Sequence, residues 1–317
     1  MSPIRIVTGN AFFTSCFLAS LLALFWKFRY RALKISWTPV VIPLVWPIAA
    51  KFVLGASAMM LPITFDRYLY AADGGFGFQP AFAGAQLLLA NPWLWHTSEF
   101  CYANLPVAIM LLYLLLRSNC GEEQANAFVR LAGALAIAGF ALYFVCPAVG
   151  PAGAFPADFP NQPPVVSVIP SAMPLIERNC MPSLHTAWTL AMLLCAAPLA
   201  KWLRYSLLVF AGLTLLYTIS GGGHYFVDMV VAIPFTVAVQ YACQSRWRSP
   251  EFCANAMAVF LWLVLVRFGT ELVSIPAFLY PLTLGTVALG YRCGFSSPRF
   301  VGNSPIAVPV PAPSLPS

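Results

Sequence analysis

The 317-residue chain is too apolar and too weakly charged for a protein whose surface faces water. Hydrophobic residues make up 60% of it, charged residues only 9%, and the mean hydropathy is +0.79, whereas soluble domains have roughly 45–50% apolar and about 25% charged residues. The net charge of +7 does not indicate nucleic acid binding, because the basic residues are scattered between apolar runs. The composition predicts an all-α, polytopic transmembrane helix bundle.

Apolar runs of about 20 residues, the length that crosses a bilayer, recur along almost the whole chain. We expect about nine spans, which cover residues 9–26, 38–60, 98–116, 128–146, 182–200, 205–222, 225–243, 254–272 and 276–292. The stretch 76–95 is also apolar, but Pro80, Gly84 and Pro92 interrupt it, which favours a re-entrant or interfacial helix. Residues 303–317 contain five prolines and are expected to form a disordered tail.

The charges between the apolar runs predict the orientation. Twelve Lys and Arg residues fall in one set of alternate loops and four in the other, and the more basic set marks the cytoplasm. The spans that begin near Pro182 and Tyr225 then both start on the outer side, where the loop 147–181 also lies. The expected regions are N-terminal transmembrane helices at 1–60, a membrane core at 61–245 and C-terminal transmembrane helices at 246–302.

Only three histidines occur, His96, His185 and His224, and all three map to the outer ends of predicted spans. Asp228 follows His224 by four residues, which is one helical turn along the same face. An aspartate in that relation can accept a hydrogen bond from one imidazole nitrogen and leave the other free as a nucleophile. The alternative is an interfacial His–Asp pair that merely satisfies itself.

A second polar element is the segment 181–185, Met-Pro-Ser-Leu-His. Proline suits the first turn of a helix, and the N–H groups that follow it form the positive end of the helix dipole, where an anion can bind. Ser183 would add a hydroxyl group and His185 a proton, although an ordinary helix start is the alternative. Gly222 and Gly223 would let the backbone approach a ligand closely, or would form only a tight turn.

Together these elements predict an outward-facing phosphate site with a nucleophilic imidazole and a second imidazole as acid and base, which fits transfer through a phospho-histidine. Zinc is disfavoured, because no third His or Cys falls at ligand spacing and His96 is the only remaining candidate. We predict neither a metal nor a cofactor. A serine-hydrolase role for Ser183 is disfavoured, since the G-x-S-x-G elbow is missing. Cys146 and Cys180 flank the outer loop and are expected to form a disulfide if that side is oxidising.

Two segments resemble the second and third signature motifs of the type 2 phosphatidic acid phosphatase superfamily: 182–185 (Pro-Ser-Leu-His) and 224–228 (His-Tyr-Phe-Val-Asp). The leucine before His185, where phosphatases usually carry glycine, is similar to the branch that contains the inositol phosphorylceramide synthases. Residues 146–151 (Cys-Pro-Ala-Val-Gly-Pro) are a looser match to the proline-rich motif of that branch. The resemblance covers roughly residues 60–245.

The resemblance implies a six-helix catalytic core in which His224 is the nucleophile, His185 the general acid and base, and Asp228 the residue that orients the nucleophile. Two features depart from the phosphatase pattern. Thr218 stands where an arginine is expected six residues before the nucleophile, and the first motif, a lysine followed by Arg-Pro, is absent. Arg178 is then the best candidate to bind the phosphate, unless it only pairs with a neighbouring acid in the outer loop.

These features predict a multi-pass membrane enzyme that moves a phosphate-bearing headgroup from a phospholipid to an alcohol acceptor, either a ceramide-like lipid or an inositol-type alcohol. Its active site would lie on the extracytoplasmic face. The first alternative is a phosphatase that acts on a lipid or polyprenyl phosphate through the same residues. A transporter is the alternative of another class, but no inverted repeat or chain of intramembrane charges supports it.

Overall fold

The computed structural model describes residues 9–30, 37–173 and 175–295, and the expected tail at 303–317 lies outside them. This part of the chain is helical except for one short antiparallel ladder, in which Ile63 pairs with Ala172 and Thr64 with Ser171. The elements are α1 (Gly9–Arg29), α2 (Thr38–Met60), β1 (Ile63–Thr64), α3 (Asp66–Gly74), α4 (Pro80–Ala90), α5 (Pro92–Ala103), α6 (Leu105–Asn119), α7 (Glu122–Val145), α8 (Pro151–Ala154), β2 (Ser171–Ala172), α9 (Leu184–Cys195), α10 (Lys201–Ser220), α11 (Phe226–Cys243), α12 (Pro250–Phe268), α13 (Thr270–Val273) and α14 (Pro276–Gly294).

Six of the described helices are long and apolar enough to cross a membrane: α1, α2, α7, α10, α11 and α12. The pair α5 and α6, which is bent by 60° at its break, would make a seventh span if it crosses as one unit. The chain is therefore an all-helical, multi-pass membrane protein. The expected count of nine spans is not confirmed.

Three predicted spans account for the difference. The one expected at 182–200 is a helix of only 12 residues, since it begins after a capping serine and ends before Pro198. The one expected at 98–116 is broken at Asn104, with Pro106 near the start of the second half. The last, α14, has 19 residues but is not among the six, because prolines, threonines and an arginine lower its hydropathy. The stretch 76–95, expected to be a re-entrant or interfacial helix, contains the short helix α4 and the start of α5.

Helix α11 lies at the centre of the bundle. In its apolar stretch of 18 residues, 67% of the residues are buried, a larger share than in any other candidate span. It packs against α7, α9, α12 and α14. Helix α10 packs against α4, α5 and α9, while α1 packs against α2 and α6. The end of α7, the beginnings of α9 and α11, and the short helix α3 converge at one end of the bundle. The predicted site residues lie there.

Candidate active site

The structure brings two of the three histidines together at this end of the bundle. His185 lies in the first turn of α9, and His224 lies two residues before α11. Their ring centroids are 5.9 Å apart at an interplanar angle of 66°. His224 is only 2% exposed, whereas His185 is half-buried. One phosphate group can therefore contact both imidazoles, with access on the His185 side.

The ring of His224 is held by a backbone carbonyl. Its Nδ1 lies 3.2 Å from the carbonyl oxygen of Cys180 and 3.6 Å from Oδ2 of Asp228. A carbonyl can only accept, so Nδ1 is the donor in this contact and Nε2 is the nitrogen that remains for a ligand. The longer distance exceeds that of a hydrogen bond, and Asp228 Oδ2 instead accepts the N–H of Tyr225 at 2.8 Å. The carbonyl is thus the direct orienting group, and Asp228 places a carboxylate beside it.

A turn formed by three glycines at 221–223 (the glycine turn), and not a helix, positions the nucleophile candidate. The span expected from residue 225 begins at Phe226, so His224 lies in the turn before α11, and the turn rather than helical spacing brings it to 3.6 Å from Asp228. Gly222 has a φ of +71°, and a Cβ there would lie 2.7 Å from the ring of Phe159. A Cβ on Gly223 would have no neighbour within 4 Å. The backbone next to the imidazole therefore borders open space, where a ligand can approach.

Ser183 is the N-terminal cap of α9. Its Oγ accepts the N–H of Thr186 at 3.3 Å and the hydroxyl of Thr186 at 3.0 Å, and its own N–H donates to the backbone oxygen of Asp228 at 3.3 Å. The side chain is fully buried. These contacts give it a structural role that joins the starts of α9 and α11, and its predicted contact with phosphate stays a prediction.

Arg178 is fully buried and its guanidinium group donates to backbone carbonyls. The partners are Leu61 at 3.1 Å, Ile176 at 2.5 Å and Met173 at 3.4 Å. The residue therefore fastens the segment that follows β2 to the end of α2. Phosphate binding by Arg178 stays a prediction. The guanidinium group would have to bind the phosphate while it keeps these contacts with the carbonyls.

Two buried aspartates of α3, which the sequence did not single out, organise the loops around the histidines. Oδ1 of Asp66 accepts the N–H groups of Val149 and Gly150 and the hydroxyl of Tyr225, each at 3.0 Å. Burial raises the pKa of Asp66 to about 6, and the hydrogen bonds that it accepts oppose the rise. The group is thus mostly ionised at neutral pH, and it links the loop after α7 to the residue that follows the nucleophile candidate.

The second aspartate, Asp73, belongs to α3 but caps the start of the central helix α11. It accepts the N–H of Phe226 at 2.8 Å and that of Val227 at 3.0 Å, the two donors that open α11 and carry the positive end of its dipole. Asp66 and Asp73 are seven residues apart, which places them on one face of α3. Acidic residues are scarce, with only ten in the chain, and this scarcity could have singled out both aspartates.

Cys180, His224 and Asp228 each offer one possible metal-ligand atom, and these atoms lie within 4.8 Å of one another. No third ligand was expected from the sequence, because Cys180 is 44 residues from His224 along the chain. Around a single zinc ion, bond lengths of 2.0–2.3 Å would place ligand atoms about 3.3–3.8 Å apart. The thiol already donates to the carbonyl of Gly223 at 3.2 Å, and burial raises its pKa well above the usual value. These residues therefore fit a hydrogen-bonded histidine better than a metal centre.

The predicted disulfide is absent from the structure. Cys146 and Cys180 are both free, and the thiol of Cys146 contacts the sulfur of Met181 at 3.7 Å instead. The third histidine, His96, lies on α5 with its side chain 79% exposed and 3.9 Å from Glu99. It is not part of the histidine pair.

The model of the PAP2 superfamily matches residues 67–242, which is more than half of the chain. The chain belongs to the PAP2 superfamily. No curated protein and no solved structure matches it.

Membership of the PAP2 superfamily supports an enzyme of the lipid phosphatase and phosphotransferase class. The matched segment begins within α3 and ends within α11, so it contains His185, His224, Asp228 and Asp73, and Asp66 lies one residue before it. The finer resemblance to the inositol phosphorylceramide synthase branch is not confirmed.

Proposed function

We propose that this PAP2 protein is a lipid phosphotransferase that moves a phosphate-bearing headgroup from a phospholipid to an alcohol through a covalent intermediate on His224. The observation that carries the proposal is the state of this imidazole. Its Nδ1 is held by a carbonyl acceptor, a second imidazole lies 5.9 Å away, and it is almost fully buried. A nitrogen nucleophile of fixed tautomer beside a proton donor is what this chemistry requires.

In the first half of the proposed reaction, Nε2 of His224 attacks the phosphorus atom of the donor lipid. The bond between phosphorus and the leaving oxygen breaks, and the leaving alcohol takes a proton from His185. In the second half, the acceptor alcohol gives its proton to His185 and attacks the phosphorus atom, which releases His224. Asp228, 3.6 Å from the Nδ1 of the nucleophile, stabilises the positive charge on the ring while the N–P bond exists.

Burial of the nucleophile favours transfer to a lipid alcohol over hydrolysis. His224 is 2% exposed, and the outer loop covers its turn: Ala152 donates to the carbonyl of Gly222 at 2.9 Å, and the ring of Phe159 lies against the same glycine. A covered intermediate is protected from water, the competing acceptor. A ceramide-like lipid or an inositol-type alcohol is therefore the proposed acceptor.

The negative charge of the phosphate needs partners other than the arginine that this chain lacks. At that position the structure has Thr218, whose hydroxyl donates to the carbonyl of Thr214 at 2.7 Å. The start of α9, the open side of Gly223 and the guanidinium group of Arg178 are the proposed partners. Backbone N–H groups at a helix start suit an anion.

We further propose that the site faces away from the cytoplasm, in the nine-span orientation described above. Lys201 begins α10, whose other end leads to the glycine turn, and Arg246 and Arg248 follow the far end of α11. These basic residues thus lie at the opposite end of the helices that carry the site. Such residues are enriched in cytoplasmic loops.

The proposal is tested with purified protein in vesicles that contain a fluorescent phospholipid donor and a ceramide-like acceptor. Chromatography separates headgroup transfer from hydrolysis, and acid-labile label from a donor with radioactive phosphorus reports the phospho-histidine. His224→Ala should abolish both product and label, whereas the matched variant His96→Ala, at an exposed histidine, should retain both. Product formation at the wild-type rate by His224→Ala would refute the mechanism. Release of the free phosphorylated headgroup alone would identify a hydrolase.

A further inference from the structure

An aromatic residue outside both histidine motifs covers one face of the proposed acid–base residue. The ring of Tyr102, in the last turn of α5, stacks on the imidazole of His185 with centroids 4.1 Å apart and an interplanar angle of 17°. Its phenol oxygen lies 3.4 Å from Nδ1 of that histidine. The two residues are 83 positions apart, so packing of α5 against α10 and the neighbouring α9 creates the contact.

The other surroundings of His185 make this contact the main restraint on its ring. Trp188 and His224 approach at centroid distances of 6.3 and 5.9 Å with angles of 74° and 66°. These edge contacts are longer than the stack. Offset stacking favours one relative ring orientation by its quadrupole as well as by its contact area. With Nδ1 next to the phenol oxygen, Nε2 is the nitrogen left to face a substrate.

Tyr102 is itself held in place from the helix that leads to the nucleophile. Its ring packs against Tyr217 of α10 at 5.2 Å, and the hydroxyl of Tyr217 donates to Glu99 at 3.5 Å. Glu99 lies one turn before Tyr102 on α5. Contacts between α5 and α10 therefore hold the ring of Tyr102 in place, and α10 leads directly into the glycine turn.

We infer that Tyr102 is a positioning residue for proton transfer: its ring holds His185 so that Nε2–H points at the leaving oxygen of the donor. The inference rests on the proposed phospho-histidine reaction. In that step the proton moves from Nε2 of His185 to the alkoxide oxygen as the P–O bond breaks and the bond from phosphorus to His224 forms. We assign the role to the stacked ring and not to the hydroxyl group, because 3.4 Å between the phenol oxygen and Nδ1 is long for a hydrogen bond.

The test compares two donors that differ only in the need for a proton. A phospholipid leaves as an alkyl alcohol and requires protonation, whereas a nitrophenyl phosphodiester of the same headgroup leaves as a stable anion. Because general acids contribute roughly 10²–10⁴-fold, Tyr102→Leu should lower kcat with the lipid donor by about 10–100-fold, at little change in KM. With the nitrophenyl donor the loss should stay below about 3-fold. Tyr102→Phe, which keeps the ring, should stay near wild type with both donors.

Two controls separate this role from general packing. Tyr291→Leu removes an exposed, stacked aromatic near the end of α14 and should leave both rates unchanged. In a His185→Gln background, Tyr102→Leu should cause no further loss with the lipid donor, since it would have nothing left to orient. Tyr102→Met serves the same comparisons if the leucine variant does not fold.

Equal losses on both donors, or full additivity with His185→Gln, would overturn the inference and leave the proposed function intact. Failure of the proposed function has a different signature. The wild-type protein would then form no labelled histidine with either donor.

Discussion

Removal of the Asp66 carboxylate tests whether the buried network of α3 holds the site together. In Asp66→Ala, the N–H groups of Val149 and Gly150 and the hydroxyl of Tyr225 lose their shared acceptor. A buried donor without an acceptor costs about 1–3 kcal/mol, so three of them give an expected loss of about 3 kcal/mol or more in the free energy of unfolding. The loop after α7 should also lose its alignment with the histidines, and headgroup transfer should fall with it.

A double-mutant cycle isolates the contact of Asp66 with Tyr225, the residue next to His224. Tyr225→Phe removes one donor and leaves the others on the carboxylate, so it should cost about 1.5–3 kcal/mol, the range for hydrogen bonds to charged groups. The double variant should be little less stable than Asp66→Ala alone, because both substitutions remove the same bond. Glu177→Ala, at an exposed acidic residue between β2 and α9, is the matched control and should stay within about 0.5 kcal/mol of wild type.

The assay is unfolding of the purified protein in mixed micelles, followed by tryptophan fluorescence and by residual transfer activity. The variants are compared at equal detergent composition, so that differences in free energy are meaningful. Two results would refute the reasoning. One is a loss below about 1 kcal/mol in Asp66→Ala, and the other is strict additivity of the two substitutions.

Three further predictions concern the site, its metal independence and its orientation. Gly222→Ala should unfold the turn or abolish activity, since the added Cβ would lie 2.7 Å from an aromatic ring at a residue whose φ is +71°. Gly223→Ala should fold normally and lose activity only if the phosphate approaches there. Wild-type activity of Gly222→Ala would contradict the geometry. Activity should survive chelation by EDTA, and a loss that zinc or magnesium restores would contradict the imidazole mechanism. A single cysteine in the 152–170 loop, in a background without reactive native cysteines, should react with an impermeant reagent in intact cells, while one near Lys201 or Arg246 should not. The opposite labelling pattern would place the chemistry on the cytoplasmic leaflet.

The proposed catalytic side chains could be singled out without coordinates, because each carries its signal in local sequence. In a chain with 9% charged residues, a histidine four residues before an aspartate and a Pro-Ser-Leu-His segment are chemically conspicuous. The helical, membrane-embedded class follows in the same way from runs of apolar residues. Local geometry was less accessible: the sequence placed His224 and Asp228 one helical turn apart, whereas His224 lies in a turn two residues before the start of α11.

Only the tertiary structure decided which groups hold the imidazoles. The partner of His224 is the carbonyl of Cys180, 44 residues away, and a backbone carbonyl leaves no trace in the sequence. Tyr102 meets His185 across 83 residues, and Asp66 meets Tyr225 across 159. These contacts depend on how α3, α5 and α10 pack, and hydropathy, which describes each segment by itself, carries no information about packing between segments. The number of spans was undetermined for the same reason, since an apolar run that packs inside the bundle as a short helix, such as α9, has the composition of one that crosses the bilayer.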